Sequence, residues 1–135
     1  MSATPEVELV WVAGGYAIGR LPASAALVAV PSGPFLSITR TADELSIVCA
    51  ESEMPSKARS EGPYALFRVT GSMDLGQVGV IAAITRPLAA YGIAVFTLAT
   101  FDTDYLLVRE GDRARAQAAL EAAGHCFVAS PPAGG

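Results

Sequence analysis

Residues 64–92 read YALFRVTGSMDLGQVGVIAAITRPLAAYG, and the change of period inside this stretch decides the fold. From Tyr64 to Thr70 the side chains alternate, Ala65, Phe67 and Val69 against Leu66, Arg68 and Thr70, which predicts a strand with one face more deeply buried. Gly71 to Gly79 is rich in glycine and turn formers and predicts a loop. From Val80 onward the apolar residues Val80, Ile81, Ile84, Leu88 and Tyr91 fall at helical spacing. Gly92 then stands where a helix end favours a residue free to take positive φ. Pro87 lies inside this helix. A mid-helix proline removes one backbone hydrogen bond and costs ~3 kcal/mol, so a kink or an irregular last turn is expected.

Downstream, Ile93 to Ala99 and Tyr105 to Arg109 are rich in β-branched and aromatic residues around Thr100-Phe101-Asp102-Thr103-Asp104, which predicts an antiparallel hairpin. Asp112 is placed to cap a helix from Arg113 to Ala123, with Ala116, Ala119, Leu120 and Ala123 on its apolar stripe and Gly124 just past its end. Cys126, Phe127 and Val128 predict a last short strand, ahead of a tail, 131–135, expected to be disordered. Right-handed crossovers and the need to bury both helix stripes on the sheet turn this order into a ferredoxin-like, four-stranded antiparallel sheet with two helices on one face.

The first half looks like a looser version of the same order. Val7 to Val12 and Tyr16 to Arg20 flank Gly14-Gly15 like a hairpin, and Pro22 to Leu27 has room for a short helical turn or more. Phe35 to Arg40 and Leu45 to Ala50 predict two strands around Thr41-Ala42-Asp43-Glu44, and Met54 to Ser60 is read as the remnant of a second helix. The expected fold class is therefore α+β, two ferredoxin-like (βαββαβ) modules in tandem over 1–61 and 62–130, neither of which alone buries a sizeable core.

Composition narrows the function classes. With 52% hydrophobic and 16% charged residues, the 135-residue chain carries enough apolar surface to fold. A net charge of -4, with only Arg109, Arg113 and Arg115 approaching a basic cluster, argues against nucleic acid as partner, because that affinity comes from neutralised phosphates. Phe67, Phe96 and Tyr105 lack the Lys or Arg array of an RNA-stacking sheet. No apolar run reaches the ~18 residues of a membrane span, and Glu6 and Glu8 precede the first apolar stretch where a signal peptide would be basic. No membrane partner and a cytoplasmic location are expected. Cys49 and Cys126 both lie in apolar runs and read as reduced core residues.

Two stretches carry a family resemblance. Phe35 to Cys49 in the first half, together with Pro87-Leu88-Ala89, Ile93, Phe96 and Thr100 to Val108 in the second, resemble small bacterial ACT-domain proteins, similar to the ACT domains of aspartokinases and of the cytosolic arginine sensor of animals. The resemblance runs from about Glu8 to His125. It implies a regulatory or sensor protein without catalysis, in which a free amino acid binds at the junction between two modules and a partner enzyme is regulated. Aspartokinase itself is excluded, since the chain has neither room for a kinase domain nor a phosphate-cradling glycine-lysine motif.

The resemblance also implies where the pocket lies: the loop Met73, Asp74, Leu75, Gly76, Gln77, Val78, Gly79 and the start of the following helix. Relatives often carry serine-leucine-threonine-glycine where Gly76-Gln77-Val78-Gly79 stands, and often serine where Ala99 precedes Thr100. Physically, an amino acid needs donors for its carboxylate and acceptors for its ammonium. Unsatisfied N–H groups and the dipole of a helix N-terminus supply the first, with Gln77 adding an amide. Asp74 supplies the second, and Asp102 and Asp104 beside Thr100 and Thr103 form a further acceptor group. Ser37 and Thr39 join the ligand-binding set if their strand face meets the junction. The loop also admits a plainer reading, in which its glycines serve turn geometry and Asp74 caps the helix.

An enzyme built on the adjacent His125 and Cys126 is disfavoured because neighbours on a strand point to opposite faces. One histidine and two separated cysteines also fall short of a metal set, and no cofactor is expected. A homodimer formed by pairing exposed strand edges is expected. An assembly module that dimerises through its sheets without any ligand is the competing reading.

Overall fold

The glycine pair at 14–15 does not reverse the chain. In a computed structural model describing residues 5–27, 30–70 and 78–130, one strand of 14 residues, β1 (Glu8–Leu21), runs through it with Gly14 at φ +103°. The expected hairpin fails because the two halves have different partners. Glu8 to Val10 pair in parallel with Cys126 to Val128, whereas Tyr16 to Leu21 pair antiparallel with Leu45 to Ala50. Between two flanks already held in ladders, a glycine at positive φ makes a local irregularity and not a turn. The remaining elements are β2 (Leu36–Arg40), β3 (Leu45–Ala50), β4 (Arg59–Val69), α1 (Val80–Ala90), β5 (Phe96–Ala99), β6 (Asp104–Arg109), α2 (Arg113–Ala122) and β7 (Cys126–Val128). Two compact units result, residues 1–12 with 65–135, and residues 13–64. Strands β1 and β4 each give one half to either unit.

The unit of residues 1–12 and 65–135 contains the expected order strand, helix, strand, strand, helix, strand, from β4 to β7. Its sheet has five strands where four are expected, in the order β7-β1-β4-β6-β5, with the first half of β1 inserted. Residues 8–12 belong here because their apolar side chains are buried here. Leu9 joins Phe67, Ile84, Leu88, Leu106 and Leu120 in one core, with Val7 and Trp11 packed against it. Burying each of these large side chains contributes roughly 1.5–3 kcal/mol. The Trp11 ring stacks on Phe127 at 5.0 Å and meets Phe67 edge-on at 5.1 Å. Its Nε1–H donates to Gln117 Oε1 at 2.8 Å, and the Arg113 guanidinium covers it at 4.5 Å.

Helix α1 buries Val80, Ala83, Ile84 and Leu88, while Ile81 and Tyr91 of the expected stripe are exposed. Its end is a Schellman motif, with Gly92 at φ +71° donating to Ala89 O and Ile93 N–H reaching back to Leu88 O. Helix α2 ends the same way at Gly124, φ +101°, with His125 N–H on Leu120 O. Asp112 stands at the start of α2 without a side-chain capping bond. Its carboxylate accepts from Arg115 at 2.9 Å instead.

Helix α1 continues through Pro87 to Ala90. The proline has no N–H to give to Ala83 O four residues earlier, and Ala83 is buried. That carbonyl is taken by His125, whose Nε2–H donates to it at 2.8 Å. The other ring nitrogen, Nδ1, accepts from Val7 N–H at 3.1 Å, which places the ring proton on Nε2. One buried imidazole thus fills the gap left by the proline and ties the helix to the segment leading into β1.

The unit of residues 13–64 orders its strands β2-β3-β1-β4 around Leu21, Leu45, Ile47 and Cys49. Tyr16 and Phe35 meet edge-on at 6.4 Å. No α-helix occurs in it among the described residues, so the βαββαβ order expected of residues 1–61 is not found there. Pro22 to Leu27 is a turn closed by Ala25 N–H on Pro22 O at 2.9 Å, and Glu51 to Glu53 form a single 3₁₀ turn before Met54. The next prolines, Pro31 after the first stretch and Pro63 after the second, leave each only a short run for a helix. Met54 packs over Gly19, where a Cβ would run into its sulfur and methyl group.

Cys49 is buried, but Cys126 is exposed, contrary to the core position expected for both. On the three-residue β7 it is Phe127 that turns inward onto Trp11, which leaves its neighbour outside. Among the described residues no helix is long and apolar enough to cross a membrane.

Candidate functional site

One end of the unit formed by 1–12 and 65–135 is assembled by hydrogen bonds between distant segments. Strand β4 ends at Val69, whose carbonyl accepts from the hydroxyl of Thr103 at 2.9 Å. Thr103 is buried and sits in the turn between β5 and β6. That turn closes on itself, with Thr100 N–H donating to Thr103 O at 2.9 Å and the Thr100 hydroxyl to the same oxygen at 3.0 Å. Beside Val69, Thr70 N–H donates to Glu8 O at 2.9 Å and its hydroxyl to the Glu8 carboxylate at 3.0 Å. The last residue of β4, the β5–β6 turn and the first residue of β1 are therefore fastened together.

After Thr70 the next described residue is Val78, which is 87% exposed. Gly79 follows at φ +89°, and its carbonyl accepts the first helical bond of α1, from Ala83 N–H at 2.9 Å. A residue other than glycine would be strained in that conformation. Having no side chain, Gly79 gives the helix no side-chain cap. A Cβ at this position would lie 3.8 Å from the Pro5 ring, so the N-terminal segment runs past the start of α1.

Of the sequence-predicted site residues, Val78, Gly79, Thr100, Asp102 and Asp104 all belong to this unit. Met73, Asp74, Leu75, Gly76 and Gln77 lie outside the described residues, as does the tail 131–135. The Thr100 hydroxyl is committed to closing its own turn. Asp102 is exposed, and Asp104 is half-buried at the start of β6, opposite Ala99. Ser37 and Thr39 belong to the other unit, on β2 opposite Val48 and Ser46, with Thr39 exposed. Sequence reasoning placed Thr103 beside the aspartates only as a turn residue and missed Glu8 and Pro5. Thr103 looks like any turn residue until its partner at Val69 is known, and the other two were assigned to a separate module.

The chemistry available here is recognition. The dipole at the start of an 11-residue helix favours an anion, and Asp102 and Asp104 offer carboxylates to a cation. His125 and Cys126 do not make a nucleophile pair, because both imidazole nitrogens are bonded to backbone groups and Cys126 faces solvent. In the other unit, burial, with a smaller contribution from the Glu53 carboxylate, pushes the Cys49 thiol above its ordinary pKa. That makes Cys49 less reactive. Among the described residues no three His, Cys, Asp or Glu side chains come together to hold a metal.

Comparison with known proteins bears on the fold that carries these residues. The ACT domain family matches residues 59–122, and a separately defined N-terminal domain family matches residues 14–57. A crystal structure of an Agobacterium tumefaciens protein is 37% identical, with a TM-score of 0.88 over 96% of this chain and 97% of that one. A Vibrio cholerae protein described as a possible transport protein is 22% identical, with a TM-score of 0.71 over 87% of this chain and 90% of its own. The regulatory subunit of aspartate kinase from Thermus flavus shares the fold at 11% identity, with a TM-score of 0.57 over 90% of this chain and 99% of that subunit. With both helices, strands β4, β5 and β6 and the glycine-opened α1 in the matched region, residues 59–122 of the chain belong to the ACT-domain family.

Proposed function

We propose that this protein is a non-catalytic regulatory module that binds a free amino acid at the end of its ACT unit, where β4, the β5–β6 turn and α1 converge. The observation that carries the reading is the Thr103–Val69 bond. It holds the aspartate-bearing turn against the end of β4, the strand that precedes α1 in the chain. Donors for a carboxylate and acceptors for an ammonium thus belong to one end of the unit. The regulatory subunit from Thermus flavus, which shares this fold, supports a partner enzyme as the thing regulated.

Ligand binding is tested by a thermal-shift screen of the twenty amino acids. A ligand present at 100 times its dissociation constant adds ~2.7 kcal/mol, a shift of several degrees for a domain of this size. Asp104→Ala is expected to abolish the shift while leaving the fold intact. No shift with any amino acid would defeat the reading.

A second reading rests on β5. It is the last strand in the order of its sheet, and Phe96, Thr97 and Ala99 along it are exposed. Such an edge can pair with a second copy, giving a homodimer that needs no ligand. Sedimentation at micromolar concentration separates the two: a dimer that ignores all amino acids favours assembly, and a monomer that binds one removes the edge from the argument.

A further inference from the structure

A pocket of about 670 Å³ lies in the unit of residues 13–64, well within the size range of small-molecule sites. Two segments line it beside Leu21, one with Leu27 and Pro31 and the other with Glu53, Pro55 and Lys57. Both sides are braced. The Arg40 guanidinium donates to the carbonyls of Ala23 and Ala25, which pins the first to β2. Met54, seated in the space that Gly19 leaves, and the Ala58 N–H to Pro55 O bond at 3.0 Å pin the second. Braced lining segments reduce the ordering that a ligand would otherwise have to supply.

Its charges are sparse and opposed. Glu53 and Lys57 stand four residues apart on one side, both exposed, and among the described residues neither forms a salt bridge. An anion alone is repelled by Glu53 and a cation alone by Lys57. A molecule bearing both charges satisfies both, while its apolar part covers Leu21, Leu27 and Pro31. We infer that this pocket binds an amphipathic zwitterion, either an amino acid with a large apolar side chain or a short apolar peptide. The inference stands on residues 13–64 alone and does not depend on the reading of the ACT end.

The test is an NMR titration of the full chain, isotopically labelled, with leucine, leucyl-leucine, N-acetylleucine and leucinamide. Leucine or the dipeptide is expected to shift the amides of Ala23 to Leu27 and of Glu53, Met54, Ser56 and Lys57. The two capped compounds, each lacking one charge, are expected to bind at least ~10-fold more weakly, as is either zwitterion to Glu53→Gln or Lys57→Met, because each loses one charged partner. Asp104→Ala should leave these shifts unchanged. A response to leucine identifies a free amino acid as occupant, and a response to the dipeptide alone identifies a peptide. Shifts confined to residues 65–130 would support the ACT-end site and overturn this one. Equal affinity for the capped compounds, or no shift at ~10 mM, overturns it as well. Mapping on the unmodified chain decides the matter even if a variant fails to fold.

Discussion

Replacing His125 by Ala in the presence and absence of Pro87→Ala probes the bond that most unites this fold. Without the imidazole, the buried Ala83 carbonyl and the half-buried Val7 N–H both lose their partners. A buried, unsatisfied backbone group costs about 1–3 kcal/mol, so with partial access of water at Val7 the total should be about 2–4 kcal/mol. Pro87→Ala changes one of these terms and not the other. The alanine introduced there would supply the N–H that α1 lacks, so Ala83 O would keep a partner after His125 is gone. The cost of His125→Ala should therefore fall by about 1–3 kcal/mol in the Pro87→Ala background, and this difference is the coupling energy of the cycle. Pro87→Ala by itself should be neutral or stabilising.

The assay is urea unfolding followed by fluorescence of Trp11, the only tryptophan, which packs on Phe67 and Phe127 in the same core. Equal destabilisation by His125→Ala in both backgrounds would refute the idea that His125 substitutes for the proline's missing donor. It would leave the imidazole as mere packing.

Three further outcomes are expected. Cys126 should react with iodoacetamide in the native protein while Cys49 stays unmodified, since only the first is exposed. Because the Cys49 pKa is raised on folding, its contribution to stability is fully present below the ordinary thiol pKa of about 8.5 and is lost as pH rises through its folded value. The urea midpoint of the native chain should fall more steeply in that alkaline range than that of Cys49→Ala. Gly19→Ala should cost about 1–3 kcal/mol by driving a methyl into Met54, and Met54→Ala in the same chain should recover part of it; an additive loss would show that the crowding is not there. Thr103→Val should cost about 1–3 kcal/mol through the loss of its bond to Val69, and hydrogen exchange should quicken in the β5–β6 turn, whereas unchanged exchange would mean that this bond does not hold the turn.

The second half of the molecule was readable because its signals are local. Strand alternation from Tyr64, helical spacing from Val80, and glycines at 92 and 124 each depend on neighbours a few residues away, and the structure places strands, helices and Schellman ends there. The same rules misread Gly14-Gly15. A positive-φ glycine is compatible with a reversal or with an irregularity in a continuous strand, and the choice fell to partners at Leu45 to Ala50 and Cys126 to Val128. The candidate site divides in the same way. Gly79 and the aspartates of the turn were visible as residue types suited to an amino-acid ligand, but nothing local announces that Thr103 reaches Val69, 34 residues away, or that His125 reaches Val7 across 118 residues. Sequence alone determined which segments bury a face and where each must stop, since period and propensity are properties of short stretches. Tertiary structure decided which strand lies beside which, and which distant donor answers each orphaned carbonyl, because a backbone hydrogen bond carries no side-chain signature of its partner.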